Sequence, residues 1–192
     1  MDFSKSDFNS IEINSEDFSD KDLSGKSFYK CTFTGCKFTN AVLNDTEFEN
    51  CVFTECDFAN PVIVNAKFLD SKYIECRLLG LNFYLCSQFA FIVSFEKCIL
   101  SNCNFNNLKM KKAQFIQCEI SECYFQETYL AEAVFEGSNF RNTLFHSTDL
   151  EKSSFRNAHG YEIDPRTNKI RKARFTAPDV LNLLNGFDIV IS

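Results

Sequence analysis

The sequence has no tryptophan, and its 192 residues include only 2 histidines, 3 prolines and 6 glycines. No nucleophile motif or glycine-rich phosphate loop accompanies the two histidines, so we expect a protein that is not an enzyme and needs no cofactor. No apolar run approaches the roughly 20 residues that span a membrane. The first residues, MDFSKSDFNS, lack the basic and apolar regions of a secretory signal. We therefore expect a cytoplasmic protein with reduced thiols and no membrane association.

The chain is short of positive charge, with a formal net charge of −6. Residues 1–75 carry 14 acidic and 7 basic side chains, whereas residues 76–160 carry 8 of each. A nucleic-acid ligand demands clustered Lys and Arg for its phosphates. The acidic first half therefore predicts that the protein does not bind nucleic acid directly.

Phenylalanine is abundant instead, with 23 copies that follow a five-residue period. One series places a large apolar residue at every fifth position from Phe3 to Phe83. A second series runs from Phe95 to Phe155, and Phe175 falls in the same phase. A period of five fits neither a helix, which repeats at 3.6 residues, nor a strand, which repeats at 2. It predicts a solenoid in which each five residues form one side and send one large side chain inward.

The position two residues before each large residue is occupied by small side chains, and it holds nine of the ten cysteines. Five cysteine pairs are spaced by 20 residues and only two by 15, which favours four pentapeptides per turn over three. The Cys-x4-Cys spacing differs from that of zinc ribbons, and no histidine cluster completes a metal site. We therefore predict a structural ladder of inward cysteines: Cys31, Cys36, Cys51, Cys56, Cys76, Cys98, Cys103, Cys118 and Cys123.

The repeat A/C/S/T-x-F/L-x-x resembles the pentapeptide-repeat family. That resemblance implies an all-β fold, a right-handed quadrilateral β-solenoid with a short helix and strand at the C-terminus. Residues 3–158 would form roughly eight coils, and at about 4.8 Å per coil the rod would be about 38 Å long. We expect a looser capping start at residues 1–27, the solenoid at 28–175, and a C-terminal cap at 176–192.

The two phenylalanine series are separated by twelve residues where ten would keep the register, so the segment 84–94 holds two extra residues. One interpretation is a phase slip that the fold tolerates. The other is a recognition loop, because insertions in solenoids often lie on the binding face. Phe89 and Phe91 fall off the core series, and we expect both to be partly exposed.

The last residues show helix and strand signals in place of the five-residue repeat. Pro178 suits the first turn of a helix and Asn185-Gly186 its end, after which FDIVI is typical of a short strand. One interpretation is a plain cap on the last coil. We favour a cap that also forms a two-fold symmetric dimer. The predicted interface residues are Leu181, Leu184, Phe187, Ile189 and Ile191.

The tail YEIDPRTNKIRKARFTAPDVLNLLNGFDIVI and the central LNF…SFEKCIL stretch resemble the Qnr-type quinolone-resistance proteins of bacteria. The resemblance implies a rod-shaped homodimer that binds DNA gyrase or topoisomerase IV and protects it from quinolones, partly by mimicking DNA. The long projecting loops of some members are missing here. The alternative is a protein–protein interaction scaffold of the same repeat without a resistance role. Candidate topoisomerase contacts are Phe89, Phe91, Glu55, Asp57 and Glu75.

Overall fold

Each five-residue step of the chain forms one side of a four-sided coil, and the coils stack into a β-solenoid of about eight turns. The structure, a computed structural model, describes residues 4–89, 91–187 and 189–190. All paired strands run parallel, and Phe8 pairs with Phe28, which pairs in turn with Phe48. This 20-residue register confirms the predicted fold class and the four-sided coil.

The strands are short and lie on successive faces of the solenoid, which we number 1 to 4 in chain order. Face 1 contains Asp7–Asn9, Ser27–Tyr29, Glu47–Glu49 and Lys67–Leu69. Face 2 contains Glu12–Asn14, Thr32–Thr34, Val52–Thr54, Ser71–Ile74, Val93–Glu96 and Gln114–Ile116, and nearer the C-terminus Ser154–Phe155 and Arg174–Phe175. Face 3 contains Asp57–Ala59, Arg77–Leu79, Ile99–Ser101, Glu119–Ser121 and Asn139–Arg141. Face 4 is joined by single parallel bridges such as Val42 to Val62.

The corners between faces use left-handed backbone conformations. Among the described residues, twenty-five that are not glycine have φ between 49° and 64°, and they lie two positions after the large inward residues. Eleven of the twenty-five are Asn or Asp, the types whose short polar side chains best tolerate this region. Five glycines share the conformation, and at Gly160 an added Cβ would lie 2.2 Å from the carbonyl oxygen of Phe140. The sequence signal for these corners is therefore the Asn, Asp and Gly enrichment after each large residue.

The core is a set of aromatic stacks that run along the axis. The rings of Phe38 and Phe58, for example, stack with their centroids 4.5 Å apart. Small inward residues that carry a hydroxyl or thiol group add a second ladder, because most of them donate a hydrogen bond to a carbonyl 23 residues earlier, or 25 residues earlier across the segment 84–94. Thr46 Oγ1 donates to the oxygen of Leu23 at 3.0 Å, and Cys51 Sγ donates to that of Phe28 at 3.2 Å. Hydrogen bonding, and not size alone, thus accounts for Cys, Ser and Thr at this position.

The N-terminal turn has the same hydrogen bonding as later turns. Strand Asp7–Asn9 pairs with Ser27–Tyr29, and Phe18 is buried. Residues 7–27 therefore form a regular coil, and the looseness expected there is limited to polar inner positions such as Glu16, which is half-buried.

The C-terminal cap is a 3-10 helix at Asp179–Phe187, and a shorter one spans Phe83–Leu85 on face 4. The cap helix begins directly after Pro178 and includes Gly186, so the predicted stop at Asn185-Gly186 was too early. Gly186 instead allows the helix backbone to lie close to Arg166, because an added Cβ there would lie 2.6 Å from the Arg166 guanidinium. Residues 189–190 form no strand, and Asp188 and Ile191 lie outside the described residues. In the described part of the chain, neither helix has the length and hydropathy to cross a bilayer.

Candidate interaction surfaces

The break at residues 84–94 absorbs its extra residues without rotating the later faces. Ser71 pairs with Val93 and Asn82 with Asn104, a spacing of 22 residues in place of the usual 20. Cys86 is buried, and its Sγ donates to the oxygen of Ile63, 23 residues earlier. Cys86 thus occupies an inner ladder position that the sequence pattern missed. The chain departs from the regular path only after this residue.

The two phenylalanines of the break take opposite positions. Phe89 is 78% exposed, whereas Phe91 is only 5% exposed. The Phe91 ring lies 5.8 Å from that of Phe83 and 6.2 Å from that of Phe68, both in edge-to-face geometry. The expectation that Phe91 is partly exposed was therefore wrong, because its ring fills the core where the regular series is interrupted.

Several exposed apolar residues lie on face 4 and in the break that follows it, and we name this set the break patch. Val64 and Tyr84 occupy equivalent outward positions on neighbouring turns, and the oxygen of Leu85 accepts from the amide of Asn65 at 2.8 Å. Outward positions of a solenoid are usually polar, so adjacent exposed apolar residues indicate a contact surface. The sequence carried the signal as PVIVN, where valines flank the inward Ile63. The break patch consists of Val62, Val64, Tyr84, Leu85 and Phe89.

The three candidate acidic contacts lie close together, but two of them are paired with cations. Arg77 Nη1 lies 3.1 Å from both carboxylate oxygens of Asp57. Lys97 Nζ lies 3.5 Å from Glu75 Oε1. Glu55 lies on the same corner with φ of 54°, and among the described residues no cation lies within ion-pair distance of it. The local negative charge is therefore smaller than the sequence suggested.

The cap helix buries one apolar side chain and exposes several others. Leu183 is buried against the last coil, and Val180 packs partly on the same core. Leu181, Phe187 and Ile189 are exposed, as is Val190, while Leu184 is half-buried. Ile191 lies outside the described residues. The predicted interface residues that can be described thus remain accessible on the single chain.

The carboxylate of Asp179 also links the cap helix to the last coil. Asp179 Oδ2 lies 2.9 Å from His159 Nδ1, and Asp179 Oδ1 accepts from the amide of Gly160 at 3.2 Å. The hydrogen bond from His159, with that from Gly160, lowers the pKa of the Asp179 carboxyl. These contacts set the orientation of the exposed helix residues relative to the last coil.

The cysteines lie inside the solenoid, away from these surfaces. All ten are buried and unpaired in the structure. Burial raises the pKa of the Cys51 thiol to about 12 and that of Cys86 further. A thiol with such a pKa is almost entirely protonated at neutral pH and is therefore a poor nucleophile and metal ligand. Within the described residues, no three His, Cys, Asp or Glu side chains cluster as a metal site.

Residues 26–89 and 91–165 match the pentapeptide repeat region, which is well over half of the chain. The chain belongs to the pentapeptide-repeat family. No curated protein matches its sequence. Among solved structures, a trypsin-treated variant of QnrB1, a plasmid-mediated fluoroquinolone resistance protein, is similar with a TM-score of 0.63 and 17% identity. That match covers 97% of this chain and 100% of the other.

A second trypsin-treated QnrB1 variant gives a TM-score of 0.60 at 19% identity, covering 100% of this chain and 95% of the other. At these identities the likeness concerns the fold. It covers nearly the whole of this chain.

Proposed function

We propose that this chain binds a bacterial type II topoisomerase, DNA gyrase or topoisomerase IV, in the cytoplasm and protects it from quinolones. The observation that carries the proposal is the fold match to QnrB1 over nearly the full length of both chains, including the C-terminal cap. The quinolone-resistance-type tail of the sequence supports the same assignment. The role proposed is binding rather than catalysis.

Apolar contact is the proposed source of affinity, since charge alone falls short of DNA mimicry. Duplex DNA carries about one charge per 1.7 Å, so a rod of about 38 Å would have to match some 22 charges. The chain carries −6, and Asp57 and Glu75 are each paired with a cation. The remaining charge can steer association with a basic surface. We assign the specific contact to the break patch; Glu55 lies on another corner of the coil, between faces 2 and 3.

The test is a gyrase supercoiling and DNA-cleavage assay with ciprofloxacin, with the protein titrated to micromolar concentration. We expect restored supercoiling and fewer cleavage complexes. Tyr84→Ser should weaken protection at least fivefold, because it removes part of the break patch. Tyr124→Ser is the matched control, since Tyr124 also lies on face 4 and is equally exposed, at 43% against 44%. Absence of any effect of the wild type on either topoisomerase would leave the interaction-scaffold alternative.

The proposed homodimer is joined through the exposed cap residues. Leu181→Asp should give monomers in multi-angle light scattering, because a buried unpaired carboxylate is costly in an apolar interface. Val62→Asp is the control, since Val62 is as exposed as Leu181, at 43% for both, but lies on face 4 several turns before the cap. Truncation before Pro178 should also give monomers, and dimers that persist in both variants would contradict the C-terminal interface.

A further inference from the structure

A positively charged surface lies on face 1 in the second half of the solenoid, and we name it the basic surface. It comprises the outward and corner positions of four consecutive turns, in the ranges 109–112, 129–132, 149–152 and 169–172. These positions hold seven basic and three acidic side chains, a formal charge of +4. The basic residues are Lys109, Lys111, Lys112, Lys152, Lys169, Arg171 and Lys172.

The positive charges of this surface are segregated from the rest of the rod. Residues 95–192 contain twelve basic and twelve acidic side chains, and seven of the twelve basic ones lie here. Before the break, the equivalent positions of face 1 hold two basic and four acidic residues. The net charge of face 1 is therefore negative before the break and positive after it. A partner of one charge can recognise only one half of this face.

The basic side chains of this surface are more exposed to solvent than its acidic ones, which strengthens its positive potential. All seven basic residues are exposed, whereas Glu132, Asp149 and Glu151 are half-buried between them. Glu132 lies 3.3 Å from Lys111, and Asp149 lies 3.9 Å from Lys169. The other basic residues of the surface, apart from Lys112, have no carboxylate within ion-pair distance among the described residues. A ligand that approaches face 1 therefore meets ammonium and guanidinium groups first.

An apolar cavity adjoins the basic surface at the break. Its volume is about 260 Å³, and it opens between Ile92 and the two lysines Lys111 and Lys112. Ile92 is exposed at its edge, although most outward residues of the solenoid are polar. The remaining lining side chains are buried and apolar: Phe91, Val93, Met110 and Ala113.

We propose that the basic surface binds an extended acidic segment of a partner protein, which places one apolar side chain in this cavity and its carboxylates over the lysine and arginine rows. The cavity favours a protein segment over nucleic acid, because a phosphate backbone offers no apolar side chain to fill it. Lys111 and Lys112 lie at one end, and Lys169, Arg171 and Lys172 lie three turns away. Three turns span about 14 Å, which about five extended residues can cover.

This surface shares no residue with the break patch assigned to the topoisomerase, although both adjoin the break, and its proposed ligand has the opposite charge preference. It therefore goes beyond the proposed function. Binding at this site needs no topoisomerase, so its test is independent of the drug-protection assay.

The test is fluorescence anisotropy with a fluorescein-labelled peptide, Leu-Ser-Glu-Glu-Ser-Glu-Glu, and the full-length protein at about 50 mM salt. We expect saturable binding that weakens as salt is raised, because the contacts are largely charged. A peptide with Gln in place of every Glu should bind at least tenfold more weakly. A peptide with Ser in place of Leu should also bind more weakly.

Two variants locate the site on the protein. The double variant Lys112→Gln/Arg171→Gln should weaken binding of the acidic peptide at least fivefold. Lys97→Gln is the matched control, since Lys97 and Lys112 are both corner lysines with positive φ that pair with a glutamate, but Lys97 lies off face 1. Ile92→Ser should weaken binding of the Leu peptide and leave binding of the Ser peptide unchanged, as expected if Ile92 contacts the leucine.

Three results would overturn the proposal. The first is no binding of the acidic peptide at millimolar concentration. The second is equal loss of binding in Lys97→Gln and in the double variant, which would indicate a non-specific charge effect. The third is binding of a 12-base-pair DNA duplex as tight as that of the peptide and insensitive to Ile92→Ser, which would assign the surface to nucleic acid.

Discussion

The ring of Phe105 lies parallel to that of Phe125, with an interplanar angle of 1° and a centroid separation of 4.8 Å. This separation equals the spacing between hydrogen-bonded strands, so the backbone register and the aromatic stack support each other. Each ring also meets rings of the opposite face, face 2, edge-on, as Phe105 does with Phe115 at 5.8 Å. Removal of one ring therefore disturbs contacts in two directions.

We predict that Phe105→Ala lowers the free energy of unfolding by about 3–5 kcal/mol, the usual result of deleting a buried aromatic side chain. Equilibrium denaturation in guanidinium chloride measures the change. Phe89→Ala is the control and should change stability by no more than about 0.5 kcal/mol, because its side chain is exposed. Equal losses in the two variants would contradict the assignment of inward and outward positions.

Tyr73 takes a phenylalanine position in the core, and no hydrogen-bond partner for its buried hydroxyl group is found in the described structure. Tyr73→Phe should therefore raise the free energy of unfolding by about 1–3 kcal/mol, since an unsatisfied buried polar group is removed. The ring contacts with Phe53 and Phe95 would remain. Thermal denaturation of both proteins tests this, with Tyr124→Phe as an exposed control. A destabilised Tyr73→Phe variant would indicate that the hydroxyl group has a partner.

The cap should loosen at low pH through Asp179. The bond to His159 lowers the pKa of this carboxyl below its usual value of 3.8, so its contribution to stability is fully present above pH 3.8. That contribution is lost as the pH falls through the lower, folded-state value. Hydrogen exchange of the helix amides between pH 5 and 3 should show loss of protection in the wild type. Asp179→Asn should exchange faster at pH 5 and respond less to pH; an unchanged pH response would exclude this carboxylate.

The left-handed backbone at the corners predicts that glycine would stabilise the protein at such a position. Glu127 has φ of 54°, a conformation that glycine adopts without steric penalty. Glu127→Gly should therefore stabilise the protein by roughly 0.5 kcal/mol, because relief of strain exceeds the added entropy of the unfolded chain. Glu127→Val should destabilise it by about 1–2 kcal/mol, since a β-branched residue is strained there. Urea denaturation of the pair is the measurement, and the reverse order would contradict the corner geometry.

The ten buried thiols should be unreactive in the native protein. All ten are buried, and burial raises the pKa of thiols such as Cys51 and Cys86, so a thiol reagent such as DTNB should label none of the ten rapidly at pH 8. Full labelling is expected after unfolding in guanidinium chloride. A cysteine that reacts within seconds in the folded protein would show that the ladder is locally open.

The regular part of the fold could be predicted because one signal repeats about thirty times. A single phenylalanine does not predict a fold. The recurrence of Phe105 and its equivalents at every fifth residue, however, fits neither a helix nor a flat strand and therefore predicts a solenoid. The break could not be predicted in the same way. There, Phe89, Phe91 and Cys86 are all apolar, and the choice of which one points inward depends on packing against Phe68 and Phe83. That choice is a tertiary effect without a sequence period.

The candidate surfaces likewise include features that the sequence predicts and features that depend on tertiary contacts. Leu181 and Phe187 were predicted as interface residues from the apolar character of the tail, and both are exposed. The ion pairs of Asp57 and Glu75 depend on residues 20 and 22 positions away, and the second spacing is known only once the break is placed. Val62 and Val64 occupy outward positions in the sequence pattern, so the break patch was open to prediction from the sequence.

The 20-residue register also constrains how this protein can change its length. A whole duplicated or deleted coil would alter the rod by about 4.8 Å and leave every downstream residue on its original face. Gain or loss of a single pentapeptide would instead shift all later residues by one face, moving the lysine rows a quarter-turn away from the cavity at Ile92. Viable length variants should therefore differ by multiples of twenty residues, or carry small outward insertions like the one after Cys86.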